Sequence, residues 1–252
     1  MKKRQIRGYD LRQIEGHFGL IGIDEAGRGA LAGPVMAGAV LINEDFLRSA
    51  WCRRNMSEIN DSKQLSAEQR ESVYERMQWL RSEHRILFAG GSASVEEIED
   101  LNILGATKLA MRRALISTLE MGQIEAHAPD PLFTTGEESS LCEGQSLGDW
   151  KVLIDGRPLK SFGFVHTGIV NGDAKSLVIA MASIVAKVER DLEMEIMEES
   201  HPGYGLGRHK GYATEIHREA LLEKGPSPIH RSLFLRKLFR SDESPGQTGF
   251  AF

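Results

Sequence analysis

Four carboxylates in this sequence stand where a carboxylate is costly. Asp24 and Glu25 end the apolar run Leu20–Asp24 (LIGID), Asp155 ends the apolar run Lys151–Asp155 (KVLID), and Asp173 lies in Asn-Gly-Asp just ahead of an apolar helical stretch. Charge beside buried apolar chain is unfavourable unless it is paired, hydrogen-bonded or bound to metal. Each group taken alone has a plain structural alternative: a solvated strand end for Asp24-Glu25, an Asp-Gly turn for Asp155, an N-cap for Asp173. Taken together, carboxylates at the ends of separate elements can converge at one edge of a sheet. Oxygen donors of that kind suit Mg²⁺ or Mn²⁺, not zinc, which favours His and Cys. Two such ions about 4 Å apart would activate a water and stabilise the leaving oxygen of a cleaved phosphodiester.

The elements that must position them are legible as patterns. LIGID and Val35–Ile42 (VMAGAVLI), joined by a glycine-rich turn and opened by Pro34, read as a hairpin near the middle of a sheet. Adjacent strand residues face opposite ways, so the first strand is expected to end at Asp24 if Asp24 and Glu25 serve one site, with Gly27 and Gly29 supplying the bend. Ser66 with Gln69, and Ser94 with Glu97, are capping-box pairs; the first opens a helix to about Arg81. Arg85–Gly90 reads as a third strand, Lys151–Asp155 and Phe162–Val170 as two more. Leu177, Ala180, Met181, Ile184, Val185 and Val188 form one helical stripe. Helices are expected near Thr214–Lys224 and Ile229–Arg240. Residues 125–150, rich in Pro, Gly, Ser and acids, read as a loop insertion. The expected organisation is an N-terminal extension (1–18), one α/β catalytic domain (19–240) whose C-terminal part (201–240) is helical, and a flexible tail (241–252).

Composition narrows the class. The 252 residues carry 31 basic and 36 acidic side chains, a net −5, which disfavours a protein that coats DNA by charge alone. A local basic face is still enough for nucleic acid. Cys52 and Cys142 make no metal or disulfide framework, and a reducing, cytoplasmic setting is expected. Leu177–Ala186 is about half a membrane span, and the basic start Met1–Arg12 leads into no signal core, so no membrane association is expected.

At this point the motifs resemble those of type 2 ribonuclease H: IGIDEAGRGALAGPV, NDSKQLS, LNILGATKLAMRRAL, VLIDG, GDAKSLVIAMASIVAKVERD and HKGYAT, in the family's order from about Leu20 to Phe234. The resemblance implies a ribonuclease H-like mixed sheet flanked by helices. It implies a site in which Asp24, Glu25, Asp155 and Asp173 hold Mg²⁺ or Mn²⁺, two ions during catalysis. It implies endonucleolytic cleavage of RNA in RNA–DNA hybrids and 5′ of a lone ribonucleotide in duplex DNA, leaving 3′-hydroxyl and 5′-phosphate ends. The type 3 enzymes share this core but carry an added N-terminal domain and lack Gly-Arg-Gly; here the first strand starts near Leu20 and Gly27-Arg28-Gly29 is intact, so type 2 is preferred. The family's His-Arg-Arg-Ser-Phe stands here as His230-Arg231-Ser232-Leu233-Phe234.

The resemblance assigns Gly27-Arg28-Gly29 to the ribose and neighbouring phosphate. Glycine admits close backbone approach, and the 2′-hydroxyl both donates and accepts. Tyr212 matches the family tyrosine that packs on the adjacent sugar, and Lys187 a position near the site. Lys63, Arg208, Lys210, and the run Arg231, Arg236, Lys237 and Arg240 are candidate phosphate contacts. A tight turn, a half-buried core tyrosine and solvated surface charges are the plain alternatives. His201, His209 and His217 recur every eight residues but fit no zinc motif. Two other readings compete with this one. A dinucleotide-binding enzyme fails on spacing, since Gly27, Gly29 and Gly33 give GxGxxxG followed by Pro34 and a strand. An inactive hybrid-binding module of the same fold is disfavoured by the presence of all four carboxylates. The chain is expected to act as a monomer. The tail Gln247–Phe252 resembles the short peptides that bind sliding clamps, with Gln247 as polar anchor and two Phe as plugs.

Overall fold

Residues 6–56, 59, 65–126 and 144–240 are described, in a computed structural model of the chain. Lys63, residues 127–143 of the expected insertion, and Gln247–Phe252 lie outside them. In chain order the elements are α1 (Arg7–Gln13), β1 (Gly19–Ala26), β2 (Val35–Asn43), the short α2 (Glu44–Arg48) and α3 (Ala50–Asn55), α4 (Ala67–Ser82), β3 (Leu87–Ala93), α5 (Val95–Gly122), β4 (Gly144–Gln145), β5 (Trp150–Asp155), β6 (Gly163–Phe164), β7 (Thr167–Ile169), α6 (Leu177–Ser200), α7 (Leu206–His209), α8 (Glu215–Lys224) and α9 (Ser232–Arg240).

The main sheet runs β3-β2-β1-β5-β7. The first three strands are antiparallel, and β5 and β7 add in parallel. This is the mixed sheet flanked by helices that the resemblance implies, with the β1–β2 hairpin central. Side chains alternate across it. Leu20, Val40 and Ile42 pack with Leu177–Val188 of α6 on one face, while Ile21, Ile23, Ala37, Ala39 and Leu41 pack with Ala106–Leu119 of α5 on the other. At Gly38 a Cβ would fall 2.3 Å from the Ala182 carbonyl, so the α6 backbone lies directly on the sheet there. A third apolar cluster, including Leu31, Met194, Leu206, Leu221 and Leu235, ties the C-terminal helices to the end of α6 and to the β1–β2 turn. Among the described residues no helix is long and apolar enough to cross a membrane.

Local signals behave as their chemistry dictates. Ser66 and Ser94 each form the complete capping box. β3 starts at Leu87, not Arg85, because a Schellman turn absorbs the residues before it: His84 is left-handed (φ 53°) and Arg85 N–H donates to Leu80 O. Phe162–Val170 is two strands, not one. His166 takes the Leu159 N–H on Nε2 and meets Phe164 O through Nδ1, which turns the chain between β6 and β7. In the segment read as an insertion, β4 pairs with β6 and Leu147 is buried, so its C-terminal end is anchored.

The segment read as an N-terminal extension supplies α1, whose flanking Ile6 and Ile14 join the core cluster beneath α6. Its Asp10 is buried and accepts the Val178 N–H at 2.9 Å, in the first turn of α6, beside the Ser176 N-cap. Burial pushes the Asp10 carboxyl up to about 7. A folded-state value above the ordinary one means that its stabilising contribution is present in acid and is lost as pH rises through 7. Asp10→Asn should therefore gain stability relative to the parent as pH goes from 5 to 8. Parallel unfolding midpoints across that range would contradict a buried, titrating Asp10.

Candidate active site

β1 and β5 run side by side only as far as the pair Ile23–Ile154. β1 continues to Ala26 against β2, with Asp24 opposite Gly38 and Glu25 opposite Ala37. The strand therefore does not end at Asp24, and the bend expected there is absent. Asp24 and Glu25 keep opposite faces and still serve one locus, because the neighbouring strand stops beside them. Asp24 faces α6, where its partners include the Ser183 side chain. Glu25 faces the α5 side, in a cleft with Thr107, Lys108 and Met111. Asp155 ends β5 next to both, its Oδ1 accepting the Gly172 N–H at 2.6 Å. That contact draws in the 3-10 turn Gly172–Ala174 that carries Asp173, which is 1% exposed. Asp173 is not the N-cap of α6, since Ser176 fills that role.

Crowding of like charge marks the locus. Burial first, then the charges of Glu25 and Asp155, raise Asp24 well above the carboxylate range. Glu25 is raised by burial, with Asp155 adding to it; the Arg28 guanidinium, 2.9 Å away, works against the shift. Among the described residues no three of the His, Cys, Asp and Glu side chains close into a ready-made ion cage. The donors nonetheless fit Mg²⁺ or Mn²⁺ in kind. They are hard oxygens whose negative charge Arg28 offsets only in part, and Mg²⁺ is commonly held by one or two carboxylates, waters and substrate phosphate instead of an all-protein cage.

On the α6 side a cleft of about 430 Å³ is lined by Glu25, Gly27, Arg28, Gly29, Arg70, Ser183, Lys187 and Tyr212. Gly27, Arg28, Gly29, Lys187 and Tyr212, which the resemblance assigns to the substrate, thus share one wall, while Arg208, Lys210 and Arg231 do not line it. Lys187 is paired with Asp191 at 2.6 Å and lies 5.7 Å from the Tyr212 ring centroid. A second cleft of about 440 Å³ meets the first at Glu25 and Arg28 and adds Lys108, Arg157 and Lys160, cations that the sequence did not single out.

The wall is held from behind by two arginines that are 0% exposed. Arg190 of α6 donates to Pro34 O, Lys210 O and Ala32 O at 3.1, 2.8 and 3.2 Å, and its guanidinium lies 5.3 Å from the Tyr212 ring. Gly27 (φ 87°) abuts it: a Cβ there would fall 1.9 Å from Arg190 Nε. Arg231 donates to Gly33, Gly27, Arg28, Ala30 and Pro34 carbonyls at 2.8–3.1 Å. Burial and the neighbouring Arg190 charge push Arg231 down to about 9, so it stays charged near neutrality. The expectation that Arg231 contacts phosphate is corrected, since it has no surface to offer. His209 and His217 stack at 4.3 Å, and His217 also meets His230 at 3.2 Å. His217 Nδ1 lies 2.9 Å from Tyr212 O and so seats that residue's backbone. Of the histidines at eight-residue spacing, His209 and His217 belong to this packing, while His201 lies 3.0 Å from Ser200 Oγ.

A family model described as Ribonuclease HII matches residues 21–129 and 151–239. The chain belongs to the ribonuclease HII family. It is 39% identical over 237 residues to the ribonuclease HII of Fusobacterium nucleatum, covering 93% of this chain and 92% of that one. Among solved structures it is similar to the ribonuclease HII in a complex with PCNA from Archaeoglobus fulgidus (TM-score 0.58, 22% identity, 85% of this chain and 94% of that one). It is also similar to Bst-RNase HIII in complex with Mn²⁺ (TM-score 0.61, 16% identity, 93% and 73%). At those identities the structural likeness shows the ribonuclease H-like fold. As a ribonuclease HII the protein is an endonuclease, a divalent-metal-dependent hydrolase acting on RNA paired with DNA.

The two glycines of the motif differ in what they bear. Gly27 needs its left-handed backbone and the missing Cβ, whereas a Cβ on Gly29 would meet nothing within 4 Å. Gly27→Ala should cost ~1–3 kcal/mol of stability, and Gly29→Ala only about 0.5 kcal/mol or less. Urea midpoints that fall equally for both would refute the distinction.

Proposed function

We propose that this ribonuclease HII cuts RNA in RNA–DNA hybrids and on the 5′ side of a lone ribonucleotide in duplex DNA, leaving 3′-hydroxyl and 5′-phosphate ends by two-metal-ion hydrolysis. The observation that carries the reading is the junction of Asp24, Glu25 and Asp155 where β1 and β5 part, with Asp173 drawn in through Gly172. These four carboxylates would hold the ions. When bound, Mg²⁺ or Mn²⁺ supplies an activated water and charge neutralisation at the leaving oxygen. The chain's own part is positioning. The Gly27–Gly29 backbone lines the cleft beside Glu25, to which Arg28 is paired, placing backbone donors where a ribose can approach. Tyr212 offers a half-exposed ring as a platform for the next sugar, and Lys187, with Lys63, supplies positive charge for phosphate.

The motif at Gln247–Phe252 is proposed to tether the enzyme to a sliding clamp, a reading supported by the PCNA complex of the Archaeoglobus fulgidus relative. The protein is proposed to work as a cytoplasmic monomer.

The test is a duplex holding one ribonucleotide, incubated with and without Mg²⁺ or Mn²⁺; absence of a cut in both metals overturns the reading. Asp24→Asn and Asp155→Asn should abolish the cut. Because Asp24 is destabilised when charged, Asp24→Asn should also raise the unfolding midpoint of metal-free protein at pH 8. Tyr212→Ala should weaken cutting at a lone ribonucleotide beyond its effect on a long hybrid by roughly 1–3 kcal/mol, the worth of a stacking contact; equal losses would make Tyr212 merely structural. Deleting Gln247–Phe252 should spare cleavage of a free oligonucleotide and weaken clamp binding.

A further inference from the structure

Arg231 is an unusual tenant of a protein interior. It is fully buried, lines neither cleft, and is met by backbone carbonyls instead of a carboxylate. Apolar packing at such a position is commonly as stable as a buried charge or more so. What a guanidinium adds is a rigid fork of donors that dictates where carbonyls point. Its Nη1 grips Gly27 O at 2.8 Å and Arg28 O at 3.1 Å, the two peptide carbonyls that flank Arg28. The described chain has no cis peptide bonds, and in a trans peptide the N–H points opposite to the C=O. Drawing the Gly27 and Arg28 carbonyls inward therefore turns the N–H groups of Arg28 and Gly29 outward. Among the described residues neither N–H has an acceptor. Both residues line the cleft that also holds Glu25, Lys187 and Tyr212.

We propose that Arg231 is a positioning residue for ribonucleotide recognition: by seizing the carbonyls of Gly27 and Arg28 it presents the N–H groups of Arg28 and Gly29 as a paired donor for the ribose oxygen and its phosphate. The inference rests on the reading that this cleft takes a ribonucleotide. It goes further in assigning the discrimination to a residue that never touches substrate. Two successive outward N–H groups make an anion-seeking concavity. A surface lysine nearby supplies charge without distinguishing ribose from deoxyribose. A donor pair fixed to the backbone registers the extra oxygen, because an ordered donor left unpaired is penalised. Lysine at 231 would keep the charge and much of the stem but, with a single nitrogen, would not span the same carbonyls.

The experiment uses binding, so that it does not depend on turnover. The full-length Asp24→Asn protein is titrated with two duplexes of one sequence, one carrying a single ribonucleotide and one all-DNA, and the ratio of affinities is compared with that of Asp24→Asn/Arg231→Lys. Arg231→Lys is expected to lower the preference for the ribonucleotide by about ten-fold, the loss of one well-made polar contact, with affinity for the all-DNA duplex left near the parent's. A purely structural arginine would instead weaken both duplexes together, and that result, or an unchanged ratio, overturns the proposal. Should Arg231→Lys fail to fold, amide resonances of the Asp24→Asn protein carry the test. The Arg28 and Gly29 amides should exchange freely in the unbound protein and become protected on the ribonucleotide duplex but not on the all-DNA one. Protection already present in the unbound protein overturns it as well. If the parent shows no preference between duplexes, the ribonucleotide reading of the cleft fails, which is distinguishable from failure of Arg231's role.

Discussion

Two guanidinium groups, sunk among backbone carbonyls, hold together the chain segments that face the cleft. Backbone bonds support the turn after β1 only at Gly27 O, Leu31 and the bridge to residues 229–231, and the guanidinium groups satisfy carbonyls that these leave over. Arg231 reaches it from the start of α9, and Arg190 reaches it from the middle of α6. Arg190 also holds Lys210 O and sits over the Tyr212 ring, so one side chain references the glycine turn and the tyrosine loop to the same helix. Since α6 lies hard on the sheet at Gly38, that reference extends to the strand bearing Asp24. The cost is two desolvated charges. The return is that three distant pieces of chain behave as one rigid wall.

The carboxylate locus follows from a different constraint. Opposite-facing neighbours on one strand can share a centre only at the border of a sheet, and the parting of β1 from β5 creates such a border inside the molecule. Asp24 then faces α6 while Glu25 looks toward α5, and the two clefts meet at Glu25, with Asp155 lining the second. The mutual repulsion of these carboxylates is a store of free energy that a bound cation can release. The ion pair from Arg28 to Glu25 offsets only part of it.

Much of this was open to the sequence where the cause is local. Capping at Ser66 and Ser94 depends on residues three apart, and the stripe of α6 on its own period, so both read correctly. The carboxylates were visible because acids at the ends of apolar runs are anomalous without any partner being known. What escaped depends on distant chain. Ser183 looks like any helix serine until Asp24 faces it. Arg190 and Arg231 carry no mark of burial, because charge in a sequence suggests solvent; only the carbonyls of residues 27–34 make their interior positions tenable. The apolar pattern alone starts β3 two residues early, since a Schellman turn built on His84 instead of glycine leaves no signature. The border between β1 and β5 involves strands that the sequence separates widely, and no local period predicts where their pairing stops.

That separation has a bearing on how the molecule comes into being. Gly19 pairs with Trp150. As the chain is made from its N-terminus, the β1–β2–β3 meander can form early through near-neighbour contacts, but the other edge of β1 stays open, lined by unpaired backbone. Exposed edges of that kind invite pairing with other chains, and closing so long a loop is slow. The strand that finally seals the edge is β5, and its last residue is Asp155. Completion of the central sheet and arrival of that carboxylate are thus a single event, so an unfinished chain, with its sticky edge, also lacks one of the carboxylates proposed to hold the metal.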